Sequence, residues 1–202
     1  MTRTRLTLLL LIGINLLLNS GCEKVVEESV VEEKVVEESV VEESELNFRN
    51  DKFYPVNSDT PYTGRIVSYY ENGQFEENRS YKDGKLDGLS ESYYENGQLE
   101  SSRNYKEGIQ DGLSKSYYEN GQLAGSGSFK DDIVDGAVEA YYENGQLQGS
   151  GSYKDGILDG PAKGYYENGQ LKESGSYKDG EKVGLWKMYD ESGQLEDEET
   201  FD

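Results

Sequence analysis

The chain has 202 residues, 41 acidic side chains against 20 basic ones, a net charge of −21 at pH 7, no histidine and one cysteine. These counts exclude imidazole proton relays, zinc sites built on histidine or on several cysteines, and any disulfide within the chain. They also set the protein against nucleic acid, whose phosphates it would repel.

Residues 1–22 read MTRTRLTLLLLIGINLLLNSGC. Arg3 and Arg5 precede an apolar run from Leu6 to Leu18, which has the length of a signal-peptide core and is shorter than the roughly 20 residues a membrane span needs. Ser20-Gly21-Cys22 closes the run and resembles the lipobox of bacterial lipoproteins, although Asn19 stands where that family usually has leucine. The resemblance implies a signal peptide over residues 1–21 and a lipidated Cys22 as the mature N-terminus. Several acyl chains, at about 0.8 kcal/mol per buried CH₂, would hold it stably in a bilayer.

Residues 24–43 repeat a ten-residue unit twice, with Val-Val every five residues. Five residues advance a helix by about 500°, so the valines form no stripe, and the spacing is not that of a half-buried strand either. Residues 22–45 therefore read as an acidic low-complexity tether. Fully extended at about 3.5 Å per residue, it spans up to roughly 80 Å.

Residues 46–64, with Phe53, Tyr54 and Tyr62, read as an N-terminal cap, and residues 65–202 as a repeat array. Gly73, Gly97, Gly121, Gly145, Gly169 and Gly193 stand 24 residues apart, the first five in Glu-Asn-Gly-Gln and the last in Glu-Ser-Gly-Gln. A tyrosine pair precedes each of the first five, and Phe75 or an equivalent leucine follows. A second marker, Tyr-Lys-Asp-Gly or a variant, begins at Tyr81, Tyr105, Phe129, Tyr153 and Tyr177. A fixed period of this length means a repeat architecture. The fold expected is all-β: a single-layer antiparallel meander of six hairpin units and about a dozen strands.

Asn-Gly between alternating residues is a hairpin signal. A three-residue Glu95-Asn96-Gly97 loop, a type I turn with a glycine bulge, would set Tyr93 opposite Leu99. Strict alternation then places Leu89, Tyr93, Leu99 and Tyr105 on one apolar face and Tyr94 on the other. Asp83-Gly84 should form the second turn. Gly88, Gly112, Gly136, Gly160 and Gly184 should mark bulges or close strand approach. The 177–202 unit, with Trp186 and Met188, has the look of a capping repeat.

Tyr-Tyr-Glu-Asn-Gly-Gln-Leu followed by Tyr-Lys-Asp-Gly resembles the bacterial MORN-repeat variant over about residues 60–202. Such proteins often carry the label of a YwqK-type antitoxin. The resemblance implies a β-hairpin array and protein binding, with no catalytic residue, metal or cofactor to carry over. The candidate binding face is the second tyrosine of each pair: Tyr70, Tyr94, Tyr118, Tyr142 and Tyr166. Packing within the sheet is the competing role for these side chains, and the stronger one for Tyr93 and its equivalents. Asp131, Asp132 and Asp135 lack EF-hand spacing and read as turn residues. Paired carboxylates recur in every unit, whereas an active site is unique. The expected protein is a non-enzymatic, lipid-anchored scaffold at the bacterial cell envelope, at the outer membrane or surface if the cell has one. Its partners are the membrane, through Cys22, and a protein. The alternative is an antitoxin or immunity protein masking one toxin.

Overall fold

The computed structural model describes residues 39–202; the expected signal peptide, Cys22 and the tether up to residue 38 lie outside the described residues. Three short strands come first: β1 (Val40–Glu42), β2 (Leu46–Arg49) and β3 (Lys52–Pro55), with a 3-10 turn at Glu43–Glu45 after β1. Twelve longer ones follow. They are β4 (Gly64–Tyr69), β5 (Phe75–Lys82), β6 (Lys85–Tyr93), β7 (Leu99–Lys106), β8 (Ile109–Tyr117), β9 (Leu123–Lys130), β10 (Ile133–Tyr141), β11 (Leu147–Lys154), β12 (Ile157–Tyr165), β13 (Leu171–Lys178), β14 (Glu181–Tyr189) and β15 (Leu195–Phe201).

From β4 to β15 each strand pairs antiparallel with its neighbour in the chain, and β1 adds a parallel strand beside β4, giving one 13-stranded sheet. The expected single-layer hairpin array is the observed fold. Only β2 and β3 stand apart, as a two-stranded hairpin. The tether reading of residues 22–45 runs too far at its end. Val40–Glu42 is strand, because the outer edge of β4 has free backbone groups and the valines cover it: Arg65 N–H donates to Ser39 O at 2.8 Å, and Val41 packs on the buried cluster of Tyr62, Ile66 and Tyr81.

Two turn types alternate along the sheet. At Tyr94–Gln98, Gly97 N–H donates to Tyr94 O and Tyr94 N–H to Gln98 O, both at 2.8 Å, with Gly97 at φ +83°. This is the three-residue loop with its glycine bulge, and it sets Tyr93 opposite Leu99 as expected. At the other end Asp83 and Gly84 both have positive φ, 51° and 80°, and Lys82 pairs with Lys85, which defines a two-residue type I′ turn. Gly88 sits at φ +108° where β6 slips by two residues against β5; a Cβ there would come within 3.1 Å of Ser80 Cβ, so the expected bulge and close approach coincide.

The face assignment needs one correction. Tyr105 does not share a face with Leu89, Tyr93 and Leu99. The register changes between Ser92↔Ser101 and Tyr93↔Leu99, so Glu100 is an extra residue on the returning strand. That second bulge reverses the alternation. Leu89, Glu91, Tyr93, Leu99, Ser102 and Asn104 lie on one side, called here the leucine face. Ser90, Ser92, Ser101, Arg103 and Tyr105 lie on the other, the small-residue face. The same shift recurs at Glu76, Ala124, Gln148, Lys172 and Glu196.

A single layer has little interior. Among the described residues the buried apolar side chains are Tyr62, Ile66, Val67, Tyr81 and Trp186. At the β4 end the β2–β3 hairpin covers the sheet: Phe53 meets Tyr81 edge-on at 5.2 Å between centroids, and its N–H donates to Gly84 O at 3.0 Å. Near the β15 end Trp186, 2 % exposed, lies over Gly175, where a Cβ would fall inside the indole. Tyr177 stands edge-on to it at 5.1 Å, Lys182 Nζ is 4.0 Å from its ring centre, and its N–H donates to Ser176 O at 3.2 Å.

Candidate functional site

The second tyrosine of each pair lies just beyond its strand, half-buried, with its hydroxyl spent on the next repeat. Tyr70 donates to Tyr93 O, Tyr94 to Tyr117 O, Tyr118 to Tyr141 O, Tyr142 to Tyr165 O and Tyr166 to Tyr189 O, at 2.6–2.9 Å. They form a ladder along the turn edge, 23 residues per rung. The asparagine of each Glu-Asn-Gly adds a parallel rung. Asn96 Oδ1 accepts from Gln98 N–H at 2.8 Å, and Asn96 Nδ2 donates to Glu119 O at 3.0 Å. Gln74 Oε1 lies where a Cβ on Gly97 would be, so the turn glycine of one repeat makes room for the glutamine of the preceding one. Glycine at Gly97, Gly121, Gly145, Gly169 and Gly193 thus answers both a positive φ and a close neighbour, while Gly73 answers the positive φ alone.

Burial raises the Tyr94 pKa first, followed by the charges of Glu100 and Glu119; Tyr70 and Tyr166 are raised by burial and by their own carboxylate neighbours. These hydroxyls remain protonated donors at neutral pH. The last unit has no following repeat among the described residues, and it carries neither donor: Asp190 replaces the tyrosine and Ser192 the asparagine. Asp190 Oδ1 instead accepts from Ser192 N, Ser192 Oγ and Gln194 N, which lowers its pKa.

The opposite turn edge is tied by aspartates. Asp87 Oδ2 accepts from Glu107 N–H at 3.0 Å, Asp135 Oδ2 from Asp155 N–H at 3.2 Å, and Asp132 Oδ1 from Gln110 N–H at 2.7 Å. Asp159 pairs with Lys178 at 2.6 Å, and that hydrogen bond holds its carboxyl below the ordinary carboxylate range. Asp132 and Asp135 therefore serve neighbouring turns. No group of three or more metal-ligating side chains occurs among the described residues.

The leucine face carries a feature that the repeat pattern alone did not single out. One residue per strand forms an unbroken cross-strand row: Asn78, Glu91, Ser102, Lys115, Ser126, Glu139, Ser150, Lys163, Ser174, Lys187 and Glu198. From Glu91 to Lys187 charged residues alternate with serines, so these charges are two strands, about 10 Å, apart; Glu198 lies on the strand next to Lys187 and pairs with it at 3.3 Å. The Tyr93/Leu99 row flanks it on one side and the Leu89 row on the other. Leu89, Leu113 and Leu185 are 40–49 % exposed. Tyr93 hydroxyl donates to Glu91 Oε2 at 2.9 Å and Tyr141 to Glu139 Oε2 at 2.8 Å. Burial and then Glu91 raise the Tyr93 pKa. The row was hidden because its 24-residue position is occupied by Glu, Lys, Glu, Lys and Lys in turn, which does not register as a repeat.

On the other face, small residues leave a shallow recess of about 210 Å³ bordered by Ser114, Gly125, Gly127, Phe129, Val134 and Val138. In the last unit Trp186 occupies the position of Val138. No helix among the described residues is long and apolar enough to cross a membrane.

No curated protein matches the chain. Among solved structures, a point mutant of S. aureus TarM, in complex with fondaparinux, α-GlcNAc-glycerol and UDP, is similar at 11 % identity and a TM-score of 0.32, over 48 % of this chain and 19 % of that one. At that score the likeness carries no argument, and the chain spans about a fifth of that protein's length. The model of the MORN repeat variant matches residues 86–107, 110–131, 134–155, 158–179 and 182–202, together more than half of the chain. The first four matched segments each run from one aspartate-edge turn to the next, with a tyrosine-ladder turn between them, and the fifth runs from the last aspartate-edge turn through the Asp190 turn to residue 202. The chain belongs to the MORN repeat variant family.

Proposed function

We propose that this protein is a non-enzymatic scaffold, anchored to the bacterial cell envelope through a lipidated Cys22, that binds protein on the leucine face of its sheet. One observation carries the reading. The exposed Leu89 and Leu113, the Tyr93/Leu99 row and the Glu91–Lys115–Glu139–Lys163 row lie together on a face that nothing in the chain's described residues covers. Repetition of one surface every two strands suits binding by avidity, in which weak contacts add along a partner. Tyrosine and leucine supply apolar area, and the alternating charges supply register. The Tyr70 series spaces this surface by tying the repeats together.

Two experiments test it. Metabolic labelling with a clickable fatty acid should tag the wild type and leave the Cys22→Ala variant unlabelled. Crosslinking in native cells, followed by purification and mass spectrometry, should capture envelope proteins from the wild type and lose them in Leu89→Asp/Leu113→Asp. Capture unchanged by that variant sinks the leucine-face assignment. A single stoichiometric partner, toxic when expressed alone and harmless beside this chain, establishes the immunity reading instead.

A further inference from the structure

The charged row on the leucine face is complementary to itself. From Glu91 through Lys115 and Glu139 to Lys163 the signs alternate, one charge every two strands, and the run is neutral although the chain carries −21. We propose that a second copy of this chain covers the leucine face, stacked on the first about a two-fold axis that lies along β9. The inference rests on the reading of that face given above and names the protein that covers it.

Such an axis keeps each row level and reverses the order of the strands. β6 then lies over β12 of the second copy, and β8 over its β10. Glu91 meets Lys163 of the second copy, Lys115 meets its Glu139, and the two-fold makes each of these pairs twice. Facing sheets pack about 10 Å apart, a gap that one glutamate and one lysine side chain together bridge. The neighbouring row agrees independently. It reads Leu89, Leu113, Ala137 and Pro161, so Leu113 faces Ala137 and Leu89 faces Pro161, a large side chain over a small one each time.

The charges have partners to gain. No ion pair among the described residues involves Lys115 or Lys163. Glu91 and Glu139 accept from Tyr93 and Tyr141 through Oε2, which leaves Oε1 for a lysine. Lys187, which breaks the alternation, is paired with Glu198 of its own sheet at 3.3 Å.

Other placements fail. Moving the axis one strand sets Glu91 against Glu139, or Lys115 against Lys163. Moving it two strands toward β15 sets Lys115 against Lys187, and two strands toward β4 leaves Glu139 and Lys163 unmatched. An axis running across the strands sets every charge against itself. The area suffices as well. From β6 to β12 the face measures roughly 700 Å² per copy, at about 4.8 Å per strand and about 20 Å of strand length. A partner in a stable complex contributes about 800 Å².

Sedimentation equilibrium of the full-length chain carrying Cys22→Ser, in density-matched detergent, tests this and should give twice the chain mass. Lys115→Glu and Glu139→Lys should each weaken the dimer more than tenfold, because each sets like charges face to face twice. The double variant Lys115→Glu/Glu139→Lys opposes unlike charges again and should restore it. A monomer throughout overturns the inference, as does a dimer indifferent to the single variants or one that the double variant fails to restore. Should a charge variant unfold, a crosslink in the otherwise native row decides. Ser126→Cys lies on the axis and should couple to its copy through a short bis-maleimide. Ser150→Cys should not, since its two copies stand four strands, about 19 Å, apart; equal coupling overturns the inference. A monomer that still captures envelope proteins through Leu89 and Leu113 overturns this inference alone and leaves the leucine-face reading standing.

Discussion

Tyr93 and Tyr94 are chain neighbours with the same side chain, yet they meet different surroundings. Tyr93 lies on the leucine face, its hydroxyl on Glu91; Tyr94 reaches across the turn edge to Tyr117 O. The sequence marked both tyrosines by periodicity, but a period cannot say which neighbour a hydroxyl will meet. That depends on where the strand ends, and the glycine bulge ends it between the two. Tyr118→Phe removes one rung and should cost about 0.5–1.5 kcal/mol in equilibrium denaturation, the net worth of a hydrogen bond. Tyr117→Phe leaves its backbone carbonyl in place and should cost less, since Lys115 stands in its repeat where Glu91 accepts from Tyr93. Tyrosines also set the response to base. Tyr70, Tyr94 and Tyr166 have pKa values raised above the ordinary 10.0. A group with a raised native pKa stabilises the fold below its unfolded value and ceases to as pH climbs through the native one. Stability should therefore hold from pH 7 to 9 and fall above about pH 10, as read by thermal melts across that range.

At the scale of the strand and turn, much was legible. The glycine-bulge turn and the aspartate turn each follow from two or three residues whose backbone preferences leave little choice. The extra bulge residue was not legible, because its position holds Glu76, Glu100, Ala124, Gln148, Lys172 and Glu196. A bulge of this kind needs only an added residue, not a special one. Its consequence was large, since it moved Tyr105 to the opposite face. The type I′ turns offer a direct test. Both loop residues need positive φ, which Asn and Asp tolerate better than other side chains. Glu107, at φ +54°, is the exception among its equivalents. Glu107→Asn should raise stability by about 0.5 kcal/mol in chemical denaturation. Trp186 supplies the opposite case. A single-layer sheet buries few side chains this large, so Trp186→Ala should cost about 3–5 kcal/mol and loosen β14 and β15 first, seen as faster amide exchange there.

For the whole molecule, stability is shared between neighbours and not gathered in one core. Each repeat supplies donors to the next and accepts them from the one before, so removing one full period should leave the rest able to close up. Deleting residues 122–145 rejoins Gly121 to Gln146 in an intact Asn-Gly-Gln turn. The shortened protein should fold, with its sheet about 10 Å shorter by small-angle scattering, two strands at about 4.8 Å each. Repetition made this architecture readable at sight. The β1–β4 pairing was less readable, because a Val-Val-Glu-Glu tract has no strand period of its own and becomes strand only where an open edge receives it.

The order of strands across the sheet also decides how it would respond to pulling. The chain enters at one edge, beside β4, and leaves at the other, at β15, so a load between the two ends acts across the strands and opens their bonds one after another. Such a zipper yields at low force, and with no shared core the failure of one repeat does not release the rest. A force-extension trace should show regular steps, each freeing about 24 residues at about 3.5 Å apiece, or roughly 80 Å of chain. Held to a membrane through Cys22, as proposed, the protein would then behave as a tear-by-tear damper, and only the opened repeats would give up their share of the leucine face.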